Sequence, residues 1–199
     1  MRVVLATRNV GKVREFADLL GTLGAAIELV PLDASAPEPE ETGATFLENA
    51  LLKARAAAAA MGLPALADDS GLCVDALAGE PGVRSARYAE GTDETRWQKL
   101  LRVLDRVPDD GRTARFACLL ALVSADGTIL ATAEGACEGR ITRSPRGDGG
   151  FGYDPVFEVG SDETGRTMAE LTTAEKRAVS HRGRAFEGLR TALGKLART

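Results

Sequence analysis

The sequence predicts a mixed α/β fold with an antiparallel hairpin in its middle, and three observations carry that expectation. Short apolar runs of strand length alternate with segments whose apolar residues recur at helical spacing. Two Thr-x-x-Glu capping boxes mark helix starts. The dipeptide Asp126-Gly127, set between two long extended runs, marks a tight turn. A chain of 199 residues that is 44% hydrophobic and 27% charged buries a substantial core without staples. It fits a single domain over residues 1–199, built as one body or as two tightly joined lobes.

Taken in order, residues 2–6 read as a buried strand, followed by the loop Thr7-Arg8-Asn9-Val10-Gly11. Val13, Phe16, Ala17 and Leu20 then recur at i, i+3, i+4 and i+7, one face of a helix. Residues 27–30 form a second short strand. The run Pro37-Glu38-Pro39-Glu40-Glu41 excludes regular structure. Thr45-Phe46-Leu47-Glu48 opens an alanine-rich helix that reaches Met61 and ends at Gly62 and Pro64.

Residues 64–67 read as a short strand that delivers Asp68, Asp69, Ser70 and Gly71 to its end, because glycine stops the pleat and opens a loop. Trp97, Leu100, Leu101 and Leu104 share a helix face. Residues 113–124 form a long apolar strand, and a two-residue turn at Asp126-Gly127 returns 128–139 antiparallel to it. The second box, Thr172-Thr173-Ala174-Glu175, opens a helix interrupted near Gly183. Phe186, Leu189, Leu193 and Leu196 form the apolar stripe of a terminal helix.

Composition excludes several classes of function. A net charge of −4 does not suit a surface that coats long nucleic acid, although a local cationic pocket for a small anion is compatible with it. Cys73, Cys118 and Cys137 have no metal-binding spacing and are odd in number, which points to reduced thiols in a cytoplasmic protein. The first apolar run is too short for a signal peptide, and no stretch approaches membrane-spanning length. His181 is the single histidine, so histidine-rich zinc sites are excluded and any metal must be held mainly by oxygen, as magnesium or manganese is.

Four constellations carry chemistry. Asp68 and Asp69 are adjacent carboxylates that repel when dry; a divalent cation would remove that cost, and a solvated turn is the alternative. Residues 6–12 lie between strand and helix like a P-loop, but Val13 lacks the hydroxyl that motif places after its lysine. Backbone N–H groups at a helix start, beside Lys12, still favour a phosphate; the alternative is a plain turn with Asn9 as N-cap and Lys12 in solvent. Gly149-Gly150-Phe151-Gly152-Tyr153-Asp154-Pro155 lets a backbone approach a flat ligand while a ring stacks on it, or forms a tight turn with Tyr153 in the core. Lys176 with Ser180-His181-Arg182 supplies donors for an oxyanion or carbonyl, or is a solvated basic turn. Glu40 and Glu41 are candidate metal ligands on an otherwise solvated loop, and Glu48 is the capping acid. Together these groups suit a nucleoside triphosphate with magnesium.

The ordered motifs Thr7-x-Asn9-x-x-Lys12, Glu41-Thr42-Gly43-x-Thr45-Phe46-x-Glu48-Asn49-Ala50, Ala67-Asp68-Asp69-Ser70-Gly71-Leu72, Gly150-Phe151-Gly152-Tyr153-Asp154-Pro155 and Ser180-His181-Arg182 resemble the inosine triphosphate pyrophosphatase family, also described as dITP/XTP pyrophosphatases. The resemblance runs from the first strand to the last helix. It implies an elongated mixed sheet flanked by helices, with two lobes around a central substrate cleft, usually in a homodimer. It implies magnesium-dependent hydrolysis of ITP, dITP or XTP to the monophosphate and pyrophosphate.

By the same resemblance Thr7, Arg8, Asn9, Val10, Gly11 and Lys12 would hold the triphosphate. Asp69 would be the catalytic carboxylate and a metal ligand with Glu40, and Asp68 and Glu41 are further metal candidates. Ser70, Phe151, Gly152, Tyr153, Asp154, Lys176, His181 and Arg182 would hold the rest of the substrate. Donors from His181 or Arg182 would pair with the position-6 carbonyl of a deaminated purine and be left unpaired by adenine. Arg8 departs from the family pattern, in which a small residue is common. Pyrophosphatases for other modified nucleotides, and a purine nucleotide sensor without turnover, are the competing readings.

Overall fold

The computed structural model describes residues 1–21 and 27–196. The strands are β1 (Arg2–Leu5), β2 (Glu28–Pro31), β3 (Ala65–Val74), β4 (Thr113–Val123), β5 (Ile129–Ile141) and β6 (Phe157–Val159). The α-helices are α1 (Val10–Gly21), α2 (Phe46–Met61), α3 (Asp93–Val103), α4 (Thr173–Val179) and α5 (His181–Leu196). One sheet carries the strands in the order β2-β1-β3-β4-β5-β6. β1 runs parallel to β2 and β3, as helical crossovers require, and β5 runs antiparallel to β6. The mixed α/β class read from the sequence is what the chain adopts.

The chain divides into two compact units, Met1–Asp69 with Cys118–Gly135 and Gly183–Thr199, and Ser70–Ala117 with Ala136–Arg182. In the first unit the period of two along β3 sorts side chains onto two faces. Leu66 packs with Phe16, Leu19 and Leu20 of α1 and Phe186, Leu189 and Leu193 of α5. Ala65 and Ala67 pack with Ala50, Ala54, Ala57 and Ala58 of α2. The stripes expected on α1 and α5 are thus core faces.

The second unit has its own core, built on Leu72, Val74, Leu100, Leu104, Phe116, Ile141 and Phe157. Arg112 lies buried within it, and its guanidinium donates to the carbonyls of Leu104 (2.6 Å), Ile141 (2.8 Å) and Thr142 (2.8 Å). The Leu104 carbonyl belongs to the C-cap of α3, where a cation opposes the helix dipole favourably. Burial lowers the Arg112 pKa, and the neighbouring Arg143 adds to that.

Three local expectations are corrected. β3 does not end at Gly71 but runs to Val74, because Leu72 and Val74 are drawn into the second core and the Leu72 N–H donates to Ser85 Oγ (2.9 Å). The β4–β5 turn has three residues between Ser124 and Thr128, whose N–H and carbonyl pair at 2.9 Å, with Gly127 at φ 85°. The helix break falls at Ser180, which is extended (ψ 149°), and Gly183 lies inside α5.

Candidate active site

β3 sends its two aspartates to opposite faces of the first unit, as neighbours on a strand must go. Asp68 follows Leu66 to the α1 side, where Lys12 Nζ meets its Oδ1 at 2.6 Å and Cys118 Sγ lies 3.8 Å from its Oδ2. Asp69 follows Ala67 to the α2 side, where Lys53 Nζ meets its Oδ1 at 2.6 Å and Asn49 Nδ2 donates to its Oδ2 at 3.3 Å. The expected repulsion between the two carboxylates is relieved by one lysine each, on separate faces. Lys12 is not in solvent, its side chain being only 16% exposed.

Burial pushes the Asp69 carboxyl above the ordinary aspartate value, and the Lys53 ammonium pulls it part of the way back. For Lys53, burial works against the charge, but Asp69, Asp68 and the hydrogen bonds to Asp69 and Glu41 outweigh it, so the ammonium is held more tightly than usual. A carboxylate with a raised pKa at the end of such a network is suited to take a proton from water.

The sequence motif placed Asn49 without a role and passed over Lys53 altogether. Both stand on α2 one turn apart, so they share a helix face. A lysine four residues after an asparagine, in a helix otherwise packed by alanines, is the signal that could have singled them out. The capping box is present as expected: Thr45 Oγ1 accepts the Glu48 N–H, and Glu48 accepts the Thr45 N–H. Asn49 Oδ1 also accepts the Gly43 N–H at 2.8 Å, and a Cβ on Gly43 would lie 2.6 Å from that oxygen. The glycine is what lets the acidic loop approach Asn49.

Of the two loop acids, Glu41 is brought to the site: its Oε1 lies 2.9 Å from Lys53 Nζ. Glu40 is exposed, and its carbonyl closes a turn with the Thr42 N–H (3.0 Å). In the phosphate loop, Asn9 Oδ1 accepts the Lys12 N–H at 3.0 Å and caps α1, while the Arg8 guanidinium is directed at residues 34–38. Thr7, Val10 and Gly11 line the same strand-to-helix junction.

In the second unit, Gly150-Phe151-Gly152-Tyr153-Asp154 is a turn with left-handed glycines at 150 and 152, closed on its own carboxylate. Asp154 Oδ2 accepts the Phe151 N–H at 2.9 Å and Lys176 Nζ at 2.7 Å. Gly150 has φ 74°, and a Cβ there would lie 2.0 Å from that oxygen. Asp93, at the start of α3, accepts the Gly152 N–H at 2.7 Å, and Tyr153 OH donates to the Ser85 carbonyl at 2.9 Å. Neither partner left a local sequence signal, since both lie more than fifty residues away along the chain.

Tyr153 is core, as the plainer of the two readings had it, and burial raises its phenol pKa well beyond the usual value. Phe151 carries the Lys176 ammonium at 4.8 Å and the Arg182 guanidinium at 5.3 Å from its ring centroid. Ser180, His181 and Arg182 are buried and not a solvated turn. The His181 ring stacks on Phe116 at 4.9 Å, and Arg182 donates to Ser70 Oγ at 2.7 Å.

The first unit's donors fit a hard cation. Glu41 and Asp69 already direct oxygens at one positive point, the Lys53 ammonium. Among the described residues, no three His, Cys, Asp or Glu side chains converge as a metal cage. Magnesium suits such a set, because it commonly takes one or two carboxylates and completes its shell with water and substrate phosphates.

A family model described as the Ham1 family matches residues 3–192. The dITP/XTP pyrophosphatase of Symbiobacterium thermophilum is 55% identical over 185 residues, which span 93% of this chain and 91% of that protein. That of Escherichia coli K12 is 53% identical over 195 residues, spanning 96% and 98%. Among solved structures, a HAM1 protein from Coxiella burnetii matches with a TM-score of 0.86 at 48% identity, covering 98% of this chain and 99% of that one. The nucleoside-triphosphatase / dITP/XTP pyrophosphatase of Mycobacterium abscessus matches with a TM-score of 0.74 at 45% identity, covering 95% and 98%. Matched from its first strand into its last helix, the chain belongs to the Ham1 family.

Proposed function

We propose that this protein hydrolyses deaminated purine nucleoside triphosphates, ITP, dITP and XTP, to the monophosphate and pyrophosphate. Relatives more than half identical over nearly the whole chain are dITP/XTP pyrophosphatases, and the expected motif residues are present in this chain. The single observation that carries the chemistry is Asp69: a buried carboxylate with a raised pKa, held by Lys53 and Asn49.

In this reading Asp69 takes the proton of the water that attacks the α-phosphorus, and Asn49 fixes which oxygen faces it. Lys12 and Lys53 lower the cost of the charge that gathers on the leaving pyrophosphate. Asp69 and Glu41 would hold magnesium, with Glu40 and Asp68 as further candidates, and the ion would supply charge neutralisation at the phosphates. Phe151 offers its ring to the base. His181 and Arg182 supply donors to a position-6 carbonyl, a preference that hydrogen-bonding sites enforce by up to roughly 10⁴-fold. The same proposal takes the protein to be a cytoplasmic homodimer, in keeping with three buried cysteine thiols and the family resemblance.

The test is pyrophosphate release from ITP, XTP, dITP, ATP and GTP, with and without magnesium. Release from the first three, dependent on magnesium and weak for ATP, is the expected result. Equal turnover of ITP and ATP, release of orthophosphate, or tight ITP binding with no turnover would each overturn the reading.

A further inference from the structure

Arg8 behaves unlike the rest of the phosphate loop. Thr7 Oγ1 accepts the Asn9 N–H (3.2 Å), Asn9 caps α1, and Lys12 pairs with Asp68, so these side chains serve the strand-to-helix junction and β3. The Arg8 guanidinium spans a different segment. Nη2 donates to the carbonyls of Ala34 (3.2 Å) and Ala36 (2.5 Å), and Nη1 meets Glu38 Oε2 at 3.1 Å.

That segment starts the acidic loop. Asp33 Oδ1 accepts the N–H and the hydroxyl of Ser35 (2.8 and 2.6 Å), which turns the chain into the arginine's reach. The far end of the loop is tied to α2 through Gly43 and Asn49 and through Ala44 and Glu48 (2.8 and 2.7 Å). Between these anchors lie Pro37, Pro39, Glu40 and Glu41, and Glu41 reaches Lys53. Proline narrows the backbone choices of a short connection, so fixing residues 34–38 restricts where residue 41 can stand.

We infer that Arg8 is a positioning residue that straps the acidic loop to the phosphate loop and thereby holds Glu41 at the Lys53–Asp69 pair, its guanidinium serving loop carbonyls in preference to substrate phosphate. Only the kinetic part of this inference rests on the pyrophosphatase reading. The fork of an arginine can meet two carbonyls and a carboxylate together, whereas a lysine offers one compact charge.

The experiment compares Arg8→Ala, Arg8→Lys, Glu41→Gln and the Arg8→Ala/Glu41→Gln double variant. Amide hydrogen exchange on the substrate-free protein is read first over residues 33–44. A strap predicts exchange at Ala36, Thr42 and Gly43 faster by about tenfold in both Arg8 variants. Unchanged exchange overturns the inference. ITP kinetics are read second. A strap predicts that Arg8→Ala lowers kcat/KM about tenfold, that Arg8→Lys does not rescue it, and that the double variant is no worse than Glu41→Gln alone. Full rescue by lysine, or a double variant that loses the product of the two single effects, assigns Arg8 to phosphate and overturns the strap. Should the wild-type protein release no pyrophosphate from ITP, the proposed function fails, and the exchange measurement still decides the role of Arg8.

Discussion

Each unit contains a buried carboxylate held by a lysine at nearly the same distance, 2.6 Å for Asp69 with Lys53 and 2.7 Å for Asp154 with Lys176. Their surroundings give them different work. Asp69 stands on a strand, its backbone fixed by the sheet, and its carboxylate shares Lys53 with Glu41. Burial leaves it poised above the ordinary aspartate pKa. Asp154 stands at the end of a glycine-rich turn, and one of its oxygens receives both the Phe151 N–H and Lys176. That ion pair closes a loop and keeps a cation over the Phe151 ring. The sheet sets the first carboxylate, whereas the second helps to close the turn that carries it.

The comparison breaks most visibly at Asp69. Asp69→Asn should cost turnover about 10³-fold or more, as loss of a general base does. Its melting temperature should stay within a few degrees of wild type, because asparagine keeps the size of the side chain and Lys53 keeps Glu41 as an ion-pair partner. Activity near wild type would remove Asp69 from the chemistry. Asp154→Asn should reverse the pattern: about 3 kcal/mol of stability lost, read by urea unfolding, because a buried ion pair is broken from one side. An unaltered stability with lost kcat would place Asp154 in the chemistry instead.

Phe151→Leu should raise KM for ITP about tenfold with kcat little changed, the scale of one base–aromatic contact. A fall confined to kcat would contradict a stacking role. The pH profile sharpens the other half. Because burial raises the Asp69 pKa, its basic form is lost as pH falls through that raised value, so the acid limb of kcat/KM should lie above the ordinary aspartate value of about 4. Lys53→Met removes the cation that pulls the pKa down, so the limb should move to higher pH. A limb that stays or moves down would disprove the coupling. The smallest effect is expected at the exposed Arg190–Glu187 pair, which touches neither carboxylate: Arg190→Ala should leave the melting temperature and the activity unchanged.

Much of this was legible in the chain because it is local. The capping boxes at Thr45 and Thr172, the stripe of Phe186, Leu189 and Leu193, and the α/β alternation follow from spacings within a helical turn or a strand. The strand through Gly71 was not legible, because the pull on Leu72 and Val74 comes from residues far along the chain. For the same reason Lys53 was missed and Asp68 was grouped with Asp69. Sequence adjacency suggested one cluster, and the pleat separated the two onto opposite faces.

Sequence alone determined which chemical groups this protein owns: oxygen ligands, lysines, one histidine, a glycine-aromatic loop and their order along the chain. Tertiary structure decided which groups meet. It set Lys12 on Asp68, Lys53 on Asp69 and Glu41, Asp93 on Gly152, and Arg8 on the carbonyls of residues 34 and 36. The physical reason is range. Propensity and capping act over a few residues, whereas the burial that raises the Asp69 pKa and the partners that answer its charge come from separate elements brought together only by folding.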